Sequence, residues 1–370
     1  MSTKARGASY AESGVDVARL EGGLGRLLGR LAATSDYPRR GRPVLPNGFF
    51  ANVLDLGQGM GLALSTDGVG TKVLVADALR RYDTIGIDVV AMNVNDVLCV
   101  GAEPIALVDY VAIPAVDAEL IEQLAIGLAE GARQARVSIP GGEIAQVREL
   151  LRPHGPDGRE GFDLVAAAVG VVSLDRLILG RSIRAGDVVI GLDSAGLHSN
   201  GLTLARRLLA PGESLELLAS KPPELGGATI GDELLRPTRI YVREVMALLD
   251  AGLDVRGLAH VTGDGLLNLL RVDAPGIGFR LDALPDPPPI FRLVAERGGI
   301  DAAEMYTTFN MGIGFCLVVP ESQAARAIDI VGAEGTRARV VGRAVDDPQR
   351  RMVLPGPGVE GTGKAFRPLR

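Results

Sequence analysis

Residues 83–112, DTIGIDVVAMNVNDVLCVGAEPIALVDYVA, decide the fold class of this chain. Residues 83–99 are mostly apolar and are followed by Gly101, a pattern typical of a helix with a glycine at its C-terminal end. Residues 105–112 form a short apolar run of the kind that builds a buried strand. A helix that leads directly into such a strand predicts an alternating α/β arrangement.

The same alternation continues on both sides of this stretch. The predicted strands are residues 61–65, 162–172, 187–193 and 312–320, the predicted helices are residues 117–136, 240–249 and 321–332, and the predicted loops are PGGEIAQ (140–146), SAGLHSNG (194–201) and AHVTGDG (259–265). The first domain is expected to end near Val172, which divides the chain into residues 1–172 and 173–370. The segment after Asp346 is rich in Pro, Gly and Arg and is expected to pack poorly.

The bulk composition limits the class of protein. A chain of 370 residues is long enough for two domains, because a single hydrophobic core usually stops growing near about 250–300 residues. The net charge of −6 argues against nucleic-acid binding, which needs a basic surface, but it leaves a nucleotide possible. No secretory signal and no apolar run of membrane-spanning length is present, so we expect a cytoplasmic protein that binds no membrane.

Residues 65–72, STDGVGTK, follow a predicted strand and combine two glycines with Asp67, Thr71 and Lys72. Glycines let backbone N–H groups approach a phosphate, Asp can hold Mg²⁺, and Lys supplies a positive charge. The order of residues is not that of a Walker A loop. A glycine-containing turn is more often structural than functional, so spacing alone makes this loop only a candidate phosphate site.

Two residues of the predicted helix 83–99 are candidates for metal chemistry. Asn93 and Asp96 are three residues apart and therefore lie on one face of the helix. An Asp in an apolar helix must be paired, hydrogen-bonded or metal-bound unless it lies at a solvated edge. Because Mg²⁺ prefers oxygen ligands and usually keeps waters and substrate phosphates, Asp67 and Asp96 are its candidate ligands.

Other polar residues lie near glycines in the predicted loops. Glu143 follows two glycines, and His198, Ser199 and Asn200 lie where a strand turns into a helix, which is a favoured phosphate site. The chain has three histidines, and His198 and His260 both fall in such loops. A single histidine is more often structural than catalytic, so both interpretations stay open for each of them.

Taken in order, these segments resemble the aminoimidazole ribonucleotide synthetase (phosphoribosylformylglycinamidine cyclo-ligase) family. The similarity extends from about Ser9 to Val341 and includes SYAESGVD, which resembles the family's opening nucleotide-binding segment. It depends on the order of several short motifs, which are LSTDGVGTK, the Asp-x4-Gly-Ala-x-Pro of residues 96–104, GGE, GDVVIGLDSAGLHSNG, PTRIYV, AHVTG and EMYTTFNMGIG. No single motif is specific to this family, but the occurrence of all of them in this order is.

The resemblance implies an N-terminal α+β domain that forms an inter-subunit β-barrel in a homodimer, a C-terminal α/β domain, and an ATP-binding cleft between them. The implied reaction converts formylglycinamidine ribonucleotide and ATP into aminoimidazole ribonucleotide, ADP and phosphate through an iminophosphate, with Mg²⁺ held by Asp67 and Asp96. The implied catalytic residues are Lys72, Glu143, His198 and His260, with either histidine moving a proton. The implied ATP- and phosphate-binding residues are Tyr10, Gly68, Gly70, Thr71, Lys72, Asn93, Ser199 and Asn200.

Two segments depart from the family pattern. Residues 144–148 are Ile-Ala-Gln-Val-Arg, where the family commonly has Thr-Ala-Glu-Met-Pro. Asp264 interrupts a run that is commonly three glycines. We expect Asp264 to cap a helix that begins at Leu266, with orientation of His260 or contact with a substrate ribose hydroxyl as the alternatives.

Other enzymes that share this family's fold fit less well. A selenophosphate synthetase would need a reactive cysteine near its N-terminus, whereas the first cysteine here is Cys99, inside a predicted helix. A hydrogenase-maturation dehydratase would need a C-terminal cysteine, but the chain ends FRPLR, and a thiamine-monophosphate kinase lacks the TDGVGTK form. A catalytically silent nucleotide-binding sensor is the alternative from another class, although a sensor would not need the whole set of polar residues.

Overall fold

The computed structural model describes residues 17–151, 153–154, 159–363 and 365–369. The segment 9–16, which includes Tyr10, lies outside the described residues, so the ATP contact expected of Tyr10 stays a prediction. The described residues form two large sheets, each with its own helices. Within these ranges, no helix is both long and apolar enough to cross a bilayer.

The first domain contains a six-stranded sheet and a small ribbon. Its strands are β1 (Arg42–Pro43), β2 (Asn52–Gly57), β3 (Met60–Gly68), β4 (Glu103–Ile113), β5 (Ser138–Gln146) and β8 (Asp163–Ser173), and the ribbon pairs β6 (Pro153–His154) with β7 (Arg159–Glu160). Its helices are α1 (Val17–Leu31), α2 (Lys72–Leu79), α3 (Ile85–Leu98) and α4 (Ala118–Ala135). The strand order is β1-β2-β3-β8-β4-β5, and only β4 and β5 are parallel.

The helices and strands predicted around residues 83–136 are confirmed as α3, β4 and α4. The helix α4 begins where Asp117 accepts hydrogen bonds from two backbone N–H groups of its first turn. The helices α3 and α4 pack at a very close distance, because a Cβ on Gly86 would lie 2.1 Å from the backbone nitrogen of Leu128. The segment PGGEIAQ is not a loop, because the free edge of β4 pairs with it and makes it the edge strand β5.

One face of this sheet is covered and the other is open. The helix α3 packs against β3, β8 and β4, and the inward residues of β8 are buried. On the opposite face, Val108 and Tyr110 are 47% and 42% exposed. Leu64, Val169 and Val171 share that face and are partly exposed. The first domain therefore presents an apolar sheet face that nothing in the described chain covers.

The second domain is built on an eight-stranded sheet. Its strands are β9 (Val188–Asp193), β10 (Gly257–His260), β11 (Ile277–Arg280), β12 (Ile313–Val319), β13 (Ala338–Asp346), β14 (Met352–Leu354), β15 (Val359–Gly361) and β16 (Phe366–Pro368). Its helices are α5 (Leu202–Leu209), α6 (Leu215–Ala219), α7 (Ile230–Leu235), α8 (Val242–Asp250), α9 (Pro289–Gly298), α10 (Ala302–Thr308) and α11 (Ala324–Ala333). The strand order is β10-β12-β9-β13-β11-β14-β15-β16.

Two expectations for this domain were wrong. Its strand pairs are antiparallel except β11 with β14, so the domain is α+β and not the α/β domain expected. The segment after Asp346 is well packed, because the buried side chains of Met352, Val359 and Phe366 anchor three short strands at the edge of the sheet. A Pro- and Gly-rich composition obscured these few apolar positions.

The helix α3 lies between the two domains. It contacts the first sheet, and it also packs against β10 and α8 of the second domain. All of its residues are buried except Asp96, which is partly exposed. A helix that is buried on every side must satisfy each polar side chain inside the protein. The polar residues of α3 are therefore the place to look for a site.

Candidate active site

Asp67, Asn93 and Asp96 come together as the sequence predicts. Asn93, on α3, donates from Nδ2 to the backbone oxygen of Asp67 at 3.1 Å, at the end of β3. Burial, and next the negative charge of Asp96, raise the pKa of Asp67 from 3.8 to about 6. The Asn93 Oδ1 atom is buried and has no hydrogen-bond partner among the described residues. Two neighbouring carboxylates and a spare amide oxygen form a site that favours a cation.

We expect Asp67→Asn to stabilise the metal-free protein at pH 7.5 by on the order of 1–3 kcal/mol, because the amide carries no charge to desolvate. Since the folded pKa of Asp67, about 6, is above the ordinary 3.8, the folded state binds the proton more tightly than the unfolded state does. The stability that this carboxyl contributes at low pH is therefore lost as the pH rises through about 6.

Urea unfolding at pH 5 and pH 7.5 measures this effect, and the gain should be larger at pH 7.5. The exposed Asp329→Asn change, on α11, is the matched control and should shift neither midpoint. A lower midpoint for Asp67→Asn at pH 7.5 would contradict the expected electrostatic penalty.

His260, at the end of β10, is bonded to Asp96. Its Nδ1 lies 2.9 Å from Asp96 Oδ1, and its Nε2 lies 3.4 Å from Nδ2 of Asn95, the preceding residue of α3. The His260 side chain is 1% exposed and that of Asp96 is 17% exposed. Asp96 therefore faces the accessible side of this cluster, and His260 lies behind it.

Lys72 is fully buried in an ion pair, which contradicts the prediction that it binds phosphate oxygens. Its Nζ lies 2.8 Å and 2.9 Å from the two carboxylate oxygens of Asp88, and both side chains are fully buried. It also donates to the backbone oxygen of Arg236 at 2.6 Å. Burial lowers the pKa of Lys72, and the charge of Asp88 opposes that shift. The ion pair links the start of α2 to α3 and to the second domain.

Ser199 belongs to the same buried network and is not placed for a phosphate. Its hydroxyl donates to Asp88 Oδ1 at 3.1 Å and lies 3.1 Å from the hydroxyl of Thr238. Asp88 Oδ1 also accepts from the Thr238 backbone N–H at 2.7 Å. Asp88 and Asn95 are the residues that sequence reasoning missed. The sequence contained a signal for both, because any polar residue in an apolar helix must be paired or hydrogen-bonded, as argued for Asp96.

His198 occupies a structural position. Its Nε2 accepts from the backbone N–H groups of Ala195 at 3.0 Å and Arg239 at 3.4 Å, and the residue is 2% exposed. Burial holds the pKa of His198 well below its ordinary value. A buried neutral ring whose accepting nitrogen is occupied does not move protons in the cleft, so that expectation is wrong for His198.

The remaining predicted phosphate-binding residues are distributed around the loops. Gly70 is exposed and has a φ of 71°, with open space where a side chain would be. The Gly68 N–H donates to the carboxylate of Asp67 at 2.8 Å, so it is not available to a phosphate. The Thr71 hydroxyl lies 2.8 Å from that of Thr203. Of these three residues, Gly70 therefore remains the one most accessible to a phosphate.

Two other predicted residues differ in how close they lie to α3. Asn200 Nδ2 is 3.9 Å from the sulfur of Met92 on α3, so its loop reaches the cluster. Glu143 is exposed on the edge strand β5, opposite Tyr110 of β4, and the strands β4 and β8 separate it from β3. The structure does not bring Glu143 together with Asp67 in one chain.

Asp264 does not cap a helix through its side chain, so the preferred interpretation is wrong. It precedes a 3₁₀ helix, Gly265–Arg271, and makes no capping hydrogen bond to it. The left-handed φ of 57° at Gly265 turns the chain sharply and takes the place of the expected α-helical start.

Two family models match this chain. The N-terminal domain of AIR synthase related proteins matches residues 50–172, and the C-terminal domain matches residues 184–354. The chain is 46% identical to a phosphoribosylformylglycinamidine cyclo-ligase of Methanothermobacter thermautotrophicus over 338 residues, which are 91% of this chain and 94% of that protein. The similarity is therefore not confined to single motifs.

Solved structures show the same fold at lower identity. A crystal structure of a Thermus thermophilus protein aligns with a TM-score of 0.58 and 24% identity, over 89% of this chain and 95% of that chain. Thermotoga maritima PurL complexed with AMPPCP aligns with a TM-score of 0.52 and 17% identity, over 82% of this chain and 43% of that chain. Such alignments support the architecture and not a shared activity.

Proposed function

The chain belongs to the phosphoribosylformylglycinamidine cyclo-ligase family, and on that premise we propose that it uses ATP to convert formylglycinamidine ribonucleotide into aminoimidazole ribonucleotide, ADP and phosphate, a step of purine biosynthesis. The observation that carries this proposal is the 46% identity over 91% of the chain to a relative with that name. The carboxylate pair Asp67 and Asp96, beside a helix shared by both domains, supports it. The alternative of a catalytically silent sensor is not favoured.

The proposed reaction has two chemical steps. The formyl amide oxygen of the substrate is a poor leaving group, so ATP first phosphorylates it to give an iminophosphate and ADP. The amidine nitrogen then attacks the same carbon, loses a proton, and closes the ring as phosphate leaves. Because this attack is intramolecular, holding the substrate in a compact conformation can lower the activation barrier by up to about 7–11 kcal/mol. The protein therefore acts mainly by positioning the substrate and neutralising charge.

The residues present fit Mg²⁺. Asp67 and Asp96 would hold the ion, and the buried Asn93 Oδ1, which has no hydrogen-bond partner among the described residues, is a third candidate oxygen. In the described part of the chain no group of three or more Asp, Glu, His or Cys side chains has the arrangement of a metal site. Waters and ATP phosphates would supply the other ligands, as is usual for this ion. When bound, Mg²⁺ would neutralise charge on the phosphate oxygens.

The deciding experiment measures ADP release from ATP with and without formylglycinamidine ribonucleotide. We expect ADP release to depend on the substrate and to be matched by a product that is lighter than the substrate by one water. ADP release that is independent of the substrate, or absent with it, would contradict the cyclo-ligase proposal. The absence of divalent cation should abolish both products together.

We also propose that the open sheet face of the first domain pairs with a second copy to form an inter-subunit β-barrel. We expect a dimer in sedimentation at micromolar concentration, and Val108→Asp should convert it largely to monomer, because a charge in the centre of an apolar interface is costly to bury. Val116→Asp places the same charge at a 66% exposed loop position and should leave the dimer intact. A wild-type monomer would contradict this assembly.

A further inference from the structure

The hydrogen bonds around His260 determine which ring nitrogen carries its proton. The orientation of Asn95 is set first, because its Nδ2 donates to the carbonyl of Arg239 at 2.9 Å and its Oδ1 accepts from the N–H of Tyr241 at 3.0 Å. The atom of Asn95 that faces His260 Nε2, at 3.4 Å, is therefore a donor. Nε2 must accept, so Nδ1 carries the proton and donates to Asp96 at 2.9 Å.

His260 is buried behind Asp96. Its side chain is 1% exposed, and the ring stacks on Phe315 with centroids 6.3 Å apart. Its backbone N–H donates to Cys99 Sγ at 3.2 Å, which holds β10 against α3. Both ring nitrogens are engaged, so neither is available to a substrate atom. Asp96 is the member of this set that is partly exposed.

We propose that His260 is a positioning residue, which holds one oxygen of Asp96 through Nδ1–H and leaves the other oxygen directed toward a divalent cation. Asn95 contributes by fixing the tautomer of His260. The inference rests on the proposed function, in which Asp96 is a Mg²⁺ ligand. The sequence left open whether His260 moves a proton, and under this inference it does not. Partners of this kind typically affect metal affinity by about 10–100-fold.

The test uses Mn²⁺ alone, without nucleotide, and compares wild type with His260→Asn and His260→Ala. The asparagine amide can take the place of Nδ1–H and donate to Asp96, but it cannot transfer a proton. We expect His260→Ala to weaken Mn²⁺ binding by about 10–100-fold, and His260→Asn to stay within about threefold of wild type. Turnover should follow the same order, with an unchanged pH profile in His260→Asn.

Leu258→Ala is the matched control, because Leu258 is 1% exposed on the same strand and its side chain has no group that can hydrogen-bond to Asp96. It should lower the melting temperature and leave Mn²⁺ affinity unchanged. Equal losses of turnover in both His260 variants, with wild-type Mn²⁺ affinity, would overturn the inference and assign proton transfer to His260. A wild-type protein that binds no Mn²⁺ would overturn it as well. ADP release coupled to ring closure in wild type tests the cyclo-ligase proposal separately from both outcomes.

A second measurement reads the tautomer directly. The chain has three histidines, so ¹⁵N labelling of histidine gives few signals. The His260 signal, identified by its loss in His260→Asn, should show a protonated Nδ1 and an unprotonated Nε2. Asn95→Asp replaces the donor that faces Nε2 with a carboxylate, so Nε2 should also become protonated while Nδ1 keeps its proton toward Asp96. A wild-type ring protonated on Nε2 alone would overturn the inference.

Discussion

Asp96→Asn is expected to reduce turnover by about a hundredfold or more, which corresponds to about 3 kcal/mol of lost transition-state stabilisation. The change removes one of the two charges that hold the cation but adds almost no volume. The asparagine oxygen can still accept from His260 Nδ1, which lies 2.9 Å from Oδ1 in the wild-type protein. The fold and the contact between β10 and α3 should therefore persist.

The measurement for Asp96→Asn is kcat at saturating ATP and substrate, together with the melting temperature. Asp329→Asn, an exposed change of the same charge on α11, is the control and should retain wild-type turnover. Turnover of Asp96→Asn at the wild-type level would rule out Asp96 as a metal ligand. A collapse of the melting temperature would show that its role is structural.

Asp88→Asn is expected to destabilise the protein by roughly 3–5 kcal/mol, because it leaves the buried Lys72 ammonium without a counter-charge. Both side chains have 0% exposure. The asparagine oxygen can still accept from Thr238, whose N–H lies 2.7 Å from Asp88 Oδ1, so the variant isolates the loss of charge. Since the ion pair joins α2, α3 and the second domain, the loss should affect both domains together.

The pH dependence identifies the buried amine as the cause of that loss. Burial lowers the pKa of Lys72 in the folded state below the ordinary 10.5, and removing Asp88 lowers it further. The unfolded state then binds more protons, so the stability of Asp88→Asn should rise as the pH increases toward 10.5. Its deficit relative to wild type should be smaller at pH 9.5 than at pH 7.

Urea unfolding at both pH values measures this prediction, with Lys72→Met and the double variant as controls. The double variant has no buried charge to desolvate, so it should be more stable than Asp88→Asn alone. A deficit that is independent of pH, or a double variant that is less stable than either single one, would show that packing and not charge dominates at this position.

The helix α3 and the strand β4 could be predicted because their local sequence determines their secondary structure. The apolar run of residues 83–112 is long enough to distinguish a helix from a strand, and it forms α3 and β4 as expected. The edge strand β5 and the C-terminal strands could not be predicted, because short segments without alternation become strands only when a neighbouring edge offers hydrogen bonds. Their structure depends on partners that are distant in sequence.

The site was predicted in part for the same reason. Helical spacing places Asn93 and Asp96 on one face, and the structure brings them to Asp67. Spacing did not reveal that Lys72, the first residue of α2, points away from its glycine loop. A buried carboxylate 16 residues later, Asp88, decides that direction, since an isolated buried ammonium is far less stable than a paired one.

The sequence by itself determined that α3 is an apolar helix with a few polar side chains, and that the motifs around it are those of one enzyme family. Only the tertiary structure decided which of those polar side chains remains open to a ligand. The second domain supplies Thr238 and His260, which are 150 and 164 residues from their partners Asp88 and Asp96 on α3. These groups hydrogen-bond to Asp88 and to Oδ1 of Asp96, because a buried polar group needs a hydrogen-bond partner and the fold supplies one from the second domain.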